Sequence, residues 1–150
     1  MDIPSVPALR VLCVDDNQDS ADSMAMLLDM LGCEAEVTYN GPAALALAEE
    51  YRPDVCLLDI NMPGMDGCEV ARRLRRRAGG RPLLLIAMTA LGSESDRGLT
   101  AAAGFDYHLT KPVEIDALIA ALRRFALGPR SGSVHPPWVE GRPDALRAGS

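Results

Sequence analysis

The chain has 150 residues, which is enough for one domain, because domains typically have about 100 to 200 residues. Hydrophobic residues make up 48% and charged residues 24% of the sequence, so we expect a packed core and exclude global disorder. The formal net charge of −6 opposes attraction to a phosphate backbone, and we expect no direct contact with nucleic acid.

The sequence offers no membrane segment and no metal-binding cysteine pattern. The longest strongly apolar run, at 83–88, is much shorter than the roughly 20 residues that a membrane helix needs. The N-terminus also lacks a basic flank before an apolar stretch, so we expect a cytoplasmic protein without a membrane partner. Because no two cysteines have Cys-x-x-Cys spacing, all four are predicted to be free thiols: Cys13, Cys33, Cys56 and Cys68.

Short apolar runs alternate along the chain with stretches in which apolar residues recur at helical spacing. In chain order, the predicted elements are a strand at 9–14, a helix at 21–31, a strand at 34–39, a helix at 42–50, a strand at 55–60, a helix at 67–76, a strand at 83–88, a helix at 93–103, a strand at 105–109 and a helix at 113–125. Parallel strands need crossovers, which the helices supply, so this alternation predicts an α/β fold. We expect a flavodoxin-like (βα)5 fold, a doubly wound parallel five-stranded sheet with strand order 2-1-3-4-5.

The composition of the sequence changes after residue 125. Residues 126–150 contain four glycines and four prolines and show no apolar period. This composition predicts a disordered tail or linker that follows a domain at residues 8–125.

Polar side chains follow the predicted strands at their carboxyl ends, where open α/β sheets bind ligands. Asp15 and Asp16 follow the first strand, and Asp59 lies at the end of the third. Thr89 follows the fourth strand and Lys111 follows the fifth. Crowded carboxylates need a neutralising cation, and Mg²⁺ is the hard cation that carboxylates and phosphate oxygens bind. An Asp nucleophile, a metal, a lysine and a hydroxyl are suited to phosphoryl transfer, with an aspartyl phosphate on Asp59 as the product.

The basic residues are almost all arginine. Lys111 is the only lysine among the 15 basic residues, which indicates that a compact ammonium is required at that position. Six arginines lie at and just beyond the predicted third helix: Arg72, Arg73, Arg75, Arg76, Arg77 and Arg81. Cations at a helix C-terminus complement the helix dipole and stay solvated, so this run does not by itself predict nucleic-acid binding.

Four ordered motifs carry a resemblance to a known family. They are the acidic pair Asp15-Asp16, the D-x-x-M-P-x-M-D-G segment at 59–67, Thr89-Ala90 and Lys111-Pro112. Together they resemble the receiver domain of bacterial two-component response regulators, the CheY-like superfamily. The resemblance covers about residues 8–125.

The resemblance implies a function for the acidic residues. Asp59 would accept a phosphoryl group from a histidine kinase or a histidine phosphotransfer protein, and phosphorylation would switch the binding of an unknown downstream protein. Mg²⁺ would be held by Asp16, Asp59 and the backbone carbonyl of Asn61, with Asp15 holding a metal-bound water. The chain would be a phosphoacceptor signalling protein and not an enzyme, although it supports its own phosphotransfer and slow dephosphorylation.

The resemblance also implies roles near the fourth and fifth strands. Thr89 and Lys111 would bind the phosphoryl oxygens, Ala90 would belong to the same site, and the peptide bond between Lys111 and Pro112 would be cis. The family usually places Tyr or Phe as a switch residue three positions before the lysine, where this chain has His108. We expect Thr89 and His108 to form the switch, and an imidazole, which titrates in the physiological range, would couple activation to pH.

Other interpretations of these residues stay open at the level of sequence. The chain could be a receiver fragment of a hybrid histidine kinase. A phosphatase of the haloacid dehalogenase type uses a similar set of residues, but it needs a second Asp where this chain has Asn61. Helix capping is the local alternative: Asp66 is predicted to cap the third helix, and Asp16 or Asn17 to cap the first.

Overall fold

Apolar strands and amphipathic helices alternate through the chain in the computed structural model, which describes residues 8–89 and 102–127. The elements are β1 (Arg10–Val14), α1 (Gln18–Met30), β2 (Glu34–Thr38), α2 (Gly41–Tyr51), β3 (Val55–Asp59), α3 (Gly67–Ala78), β4 (Leu84–Thr89), β5 (Tyr107–Thr110) and α4 (Ile115–Leu127). The strands form one sheet in the order β2-β1-β3-β4-β5, and every neighbouring pair is parallel. The predicted flavodoxin-like fold and its strand order 2-1-3-4-5 are confirmed.

Most predicted elements differ from the structure by one to three residues at their ends. The last strand begins at Tyr107 instead of residue 105. The last helix continues to Leu127, so residues 126 and 127 belong to α4 and not to a tail, because Ala126 still packs against the core. The predicted helix at 93–103 lies outside the described residues except for Ala102 and Ala103, which are helical. The predicted tail from residue 128 onward also lies outside them.

Each face of the sheet is covered by helices, which explains why the central strands are apolar on both sides. Residues of β1 and β3 such as Val11 and Leu57 pack with α1 and α4 on one face. The alternate residues, such as Leu12 and Leu58, pack with α2 and α3 on the other. Every residue of β3 and β4 is buried, so the polar groups at the carboxyl ends of these strands leave the core at fixed positions.

The cysteines are packing residues. All four are free, as predicted, and Cys13, Cys33 and Cys56 are buried. Burial raises the pKa of the Cys13 thiol and raises that of Cys56 to about 12. A thiol that stays protonated is a poor nucleophile and metal ligand, so Cys13 and Cys56 act only as packing residues of the core.

Helix caps shape the loops at the carboxyl edge of the sheet. Asn17 Oδ1 accepts a hydrogen bond of 3.0 Å from the backbone N–H of Ser20, which caps α1. Asp66 Oδ1 accepts one of 3.0 Å from the backbone N–H of Glu69, which caps α3 and confirms the prediction for Asp66. Because Asn17 supplies the first cap, the neighbouring Asp16 is left available for another role.

The loop after β3 approaches its own strand closely at Gly67. A Cβ atom at this position would lie 2.5 Å from the backbone oxygen of Asp59 and 2.7 Å from Cα of Ile60. Only glycine permits this approach, which places the start of α3 against the end of β3.

Within the described residues, the structure has no helix that is long and apolar enough to span a membrane.

Candidate functional site

Three carboxylates meet where β1 and β3 end. The two strands are parallel neighbours, and their register pairs Val14 with Leu58, so Asp15 and Asp59 follow at the same edge. One oxygen from each of Asp15, Asp16 and Asp59 can be chosen so that all three lie within 4.8 Å of one another. Asp15 and Asp59 are only 2% and 5% exposed, whereas Asp16 faces solvent.

Lys111 reaches this cluster from the loop after β5. Its Nζ donates to Asp15 Oδ2 at 3.2 Å and to Asp59 Oδ2 at 3.3 Å. Its backbone N–H donates to the Thr89 carbonyl at 2.8 Å, which ties the loop to the end of β4. The Lys111–Pro112 peptide bond is cis, as predicted. Among the described residues, Lys111 is the one cation that forms ion pairs with these buried carboxylates.

Backbone amides fix the other oxygen of each buried carboxylate. The N–H of Asn17 donates to Asp15 Oδ1 at 3.0 Å, and the N–H of Asn61 donates to Asp59 Oδ1 at 2.9 Å. In both side chains the second oxygen, Oδ2, is the one that faces Lys111. The arrangement therefore holds Asp59 Oδ2 in one orientation, as a nucleophilic oxygen requires.

The three carboxylates and Lys111 together carry a net negative charge. Burial raises the pKa of Asp59, and the nearby Asp15 carboxylate raises it further, although the Asn61 N–H and the Lys111 ammonium act in the opposite direction. Burial alone would lower the pKa of Lys111, but its contacts with Asp15 and Asp59 prevail and raise it. Among the described residues, three carboxylates accompany one ammonium, so two negative charges have no compensating cation there. Carboxylate oxygens with this charge are the ligands that a hard dication prefers.

Thr89 and His108 are in direct contact on neighbouring strands. The Thr89 hydroxyl oxygen lies 2.9 Å from His108 Nε2, and both side chains are buried. In the parallel register His108 pairs with Ala87, which brings its ring diagonally across to Thr89. The sequence predicts both residues as a switch but not this hydrogen bond, which depends on the strand register.

Two predicted site residues remain, Asn61 and Ala90. The backbone N–H of Asn61 contacts Asp59, and its side chain is exposed. Ala90 lies outside the described residues.

Sequence reasoning missed a groove beside the carboxylates. A cavity of about 770 Å³ lies between α1 and the start of α4, with Asp15 and Lys111 at its wall. Met24 and Leu27 contribute to its largely apolar lining. Ile115, which is 49% exposed at the start of α4, also lines it, and this exposure is visible only in the structure.

Comparisons with known proteins agree on one family. The sequence profile of the response regulator receiver domain matches residues 11–123. The sensory transduction protein RegX3 of Mycobacterium tuberculosis is 41% identical over 113 residues, which make up 75% of this chain and 48% of RegX3. A 14.6 kDa protein of Leptolyngbya boryana is 37% identical over 119 residues, which make up 79% of this chain and 91% of that protein.

A solved structure shows the same fold. Chemotaxis protein CheY4 of Vibrio cholerae superposes with a TM-score of 0.72 at 30% identity, over 79% of this chain and 98% of CheY4. This chain spans about half the length of several curated relatives that it matches, RegX3 among them.

Proposed function

This chain belongs to the response regulator receiver domain family of two-component signalling, and we propose that Asp59 is its phosphoacceptor. The observation that supports this most is the fixed geometry of the Asp59 carboxylate. Its Oδ1 is held by the Asn61 N–H at 2.9 Å, and its Oδ2 lies 3.3 Å from the Lys111 ammonium. One oxygen is thus oriented for attack, beside a cation that can compensate the charge of an incoming phosphoryl group.

The proposed reaction is transfer of a phosphoryl group from a phosphohistidine. Asp59 Oδ2 forms a bond to phosphorus while the bond from phosphorus to the donor imidazole nitrogen breaks, and the imidazole leaves with the bonding electron pair. The Lys111 ammonium, which already bridges Asp59 and Asp15, offsets charge on a phosphoryl oxygen. The donor would be a histidine kinase or a histidine phosphotransfer protein.

The site also fits Mg²⁺. Three carboxylate oxygens within 4.8 Å of one another, with two uncompensated negative charges, suit a small dication. Asp16, Asp59 and the Asn61 carbonyl would hold it, and Asp15 would hold a water on the ion, as the resemblance implies. The ion, when bound, supplies neutralisation of the charge on the phosphoryl oxygens.

We further propose that Thr89 and His108 transmit phosphorylation to a surface that an unidentified downstream protein binds. The Thr89 hydroxyl has one proton to donate. If that proton goes to a phosphoryl oxygen, the 2.9 Å contact persists only in a form of His108 whose Nε2 carries a proton and donates to the Thr89 oxygen. Phosphorylation is thereby coupled to the tautomer or the position of the buried His108 ring.

The proposed role is that of a signalling protein and not of an enzyme with a diffusible substrate. Asn61 occupies the position where a haloacid dehalogenase phosphatase needs a general acid, and an amide cannot donate a proton in that way. The four free cysteines suit a reducing compartment, which supports a cytoplasmic location.

Phosphorylation of the full chain with phosphoramidate, whose P–N bond resembles that of phosphohistidine, tests the proposal. We expect the intact mass of the wild type to increase by one phosphoryl group in the presence of Mg²⁺ and not in EDTA. Asp59→Asn should abolish this adduct. Asp66→Asn is the matched control, because Asn caps a helix as well as Asp does and Asp66 lies outside the cluster. An adduct that persists in Asp59→Asn, or that is lost in Asp66→Asn, contradicts the assignment of Asp59.

The switch is tested by histidine NMR of the free protein and of its complex with Mg²⁺ and beryllofluoride, a phosphoryl mimic. We expect the ring signals of His108, assigned with a His108→Asn variant, to shift on addition of beryllofluoride. The second histidine, His135, serves as the internal reference. An unchanged His108 ring across the pH range rules out the switch role and leaves the phosphoacceptor assignment intact.

A further inference from the structure

We infer that a second binding site lies at the amino edge of the sheet and takes a small organic phosphate, a phosphoryl group joined to a flat or apolar body. A cavity of about 450 Å³ is formed there by the C-terminal ends of α2 and α3 and by the segments that lead into β3 and β4. Ligand pockets in proteins typically measure about 300 to 1,000 Å³. The whole length of β3 separates this cavity from Asp59, so the inference does not depend on the proposed function.

Three arginines line the cavity: Arg52, Arg77 and Arg81. The single carboxylate in the lining is that of Glu49, which pairs with Arg77 Nη1 at 3.1 Å. Two guanidinium charges therefore lack a carboxylate in the cavity wall. Planar guanidinium groups bind phosphate oxygens through two parallel hydrogen bonds, so this charge selects an anion of that shape.

Two of these guanidinium groups are positioned by the backbone. Arg77 Nη1 donates to the Leu45 carbonyl at 3.4 Å, and Arg81 Nη1 donates to the Pro53 carbonyl at 3.2 Å. Each of these bonds uses one nitrogen of a group that has five donors. The other donors remain for a ligand whose position the backbone contacts define in advance.

Arg52 occupies a backbone conformation that usually belongs to glycine. It ends α2 with φ 51° and ψ 65°, in the left-handed region. A residue with a Cβ is disfavoured there, and glycine is the common choice at the end of a helix. In the described part of the chain its guanidinium forms no ion pair, so intramolecular pairing does not explain the choice of arginine. A contact between Arg52 and a ligand accounts for it.

The floor of the cavity is apolar. Pro53, Leu74 and Leu83 line it and are buried. Apolar residues that line the same cavity as guanidinium groups accommodate a planar or aliphatic body whose anionic end contacts the arginines. A nucleotide has this form, whereas inorganic phosphate alone would leave the floor uncovered.

Two other arginines of α3 differ in their surroundings. Arg72 and Arg73 both pair with Glu69 on the same helix, at 3.2 Å and 2.6 Å, and lie outside the cavity. Attraction to the helix C-terminus explains solvated arginines in general, but it does not explain a cavity with three of them. Arg73 is therefore the matched control for Arg81.

An NMR titration of the ¹⁵N-labelled full chain with AMP, without Mg²⁺ and at constant ionic strength, tests the inference. We expect saturable shifts confined to residues 48–53 and 74–83. Adenosine and inorganic phosphate should each bind at least tenfold more weakly, because each offers half of the required chemistry. A lack of saturation, or shifts centred on Lys111 instead, overturns the inference. Binding of inorganic phosphate as tight as that of AMP overturns it as well, because the apolar floor would then contribute nothing.

Substitutions distinguish a specific binding site from general attraction between the arginines and an anion. Arg81→Gln should weaken AMP binding at least tenfold, whereas Arg73→Gln, with the same change in charge, should leave it within twofold. Arg52→Gly should weaken binding while it raises the Tm, because glycine relieves the left-handed conformation, so loss of folding cannot explain that result. Equal losses in Arg81→Gln and Arg73→Gln overturn the inference. Asp59→Asn should bind AMP as the wild type does, so the outcome is independent of the phosphoacceptor assignment.

Discussion

The two edges of the sheet carry uncompensated charge of opposite sign. At the carboxyl edge, three carboxylates face the single ammonium of Lys111. At the amino edge, three arginines line a cavity whose single carboxylate, Glu49, pairs with Arg77. The proposed cation site and the inferred anion site therefore lie at opposite edges, and the hydrophobic core separates them.

The edges differ most in burial. Asp15 and Asp59 are almost fully buried, and burial is the main reason that the pKa of Asp59 is raised. The side chains of Arg77 and Glu49 are 47% and 65% exposed, so solvent screens their charges. A buried charge without a partner is costly, whereas an exposed one is not. The comparison teaches that burial makes charge at the carboxyl edge more costly than charge at the amino edge, so the proposed cation would gain more from binding there.

The largest expected effect is a loss of stability. It distinguishes Arg75, an arginine at the amino edge that is held by several hydrogen bonds, from its solvated neighbours. Arg75 donates to the carbonyls of Leu83 and Gly104 and pairs with Asp106 Oδ2 at 2.9 Å. Arg75→Met should lower the free energy of unfolding by roughly 2 kcal/mol, because several charge-assisted hydrogen bonds are lost from side chains only about one-third exposed.

Urea unfolding measures this loss, with Arg73→Met as the control. Arg73 is 44% exposed and pairs only along its own helix, so we expect its replacement to cost less than about 0.5 kcal/mol. Similar losses in the two variants would show that burial does not distinguish the arginines at this edge.

The next effect concerns the cation at the carboxyl edge. Asp16→Asn removes one of the three clustered carboxylates. The affinity for Mg²⁺, measured by calorimetry, should fall by at least about tenfold, because a ligand is lost and not merely a supporting contact. Asp29→Asn, with the same charge change in the last turn of α1, should leave the affinity nearly unchanged. If both variants bind alike, the effect is one of net charge and the site is not a coordination site.

The smallest effect has the opposite sign. In EDTA, Asp59→Asn should raise the free energy of unfolding by about 1 kcal/mol, because it removes a buried carboxylate that lies against Asp15. Urea unfolding measures the gain, and Mg²⁺ should reduce it by stabilising the wild type alone. A loss of stability in EDTA would mean that the ion pair with Lys111 outweighs the cost of crowding the carboxylates.

Much of the fold follows from local pattern. The apolar runs at 55–60 and 83–88 became strands buried on both faces, because a run without polar alternation suits a sheet that is covered on both sides. Asp66 before Gly67 became a helix cap, since capping depends on neighbouring backbone amides. Alternation of strands and helices predicted the parallel sheet, because parallel strands need crossovers. The strand order 2-1-3-4-5 came from the flavodoxin-like fold that this pattern fits.

The extent of the last helix could not be predicted in the same way. Composition suggested that the domain ends at residue 125, but Ala126 packs against the core and α4 ends at Leu127. Glycine and proline content averages over a window and does not detect a single packed residue.

What the sequence by itself determined is the order of the elements and which chemical groups stand at their ends, because both depend on residues near in the chain. The tertiary structure alone decided which groups touch. It brought Lys111 to Asp15 and Asp59 across separations of 96 and 52 residues, and it placed the Thr89 hydroxyl against His108. It also gathered the arginines of two helix ends around one cavity. Such contacts depend on strand register and helix placement, which only packing of the whole core determines.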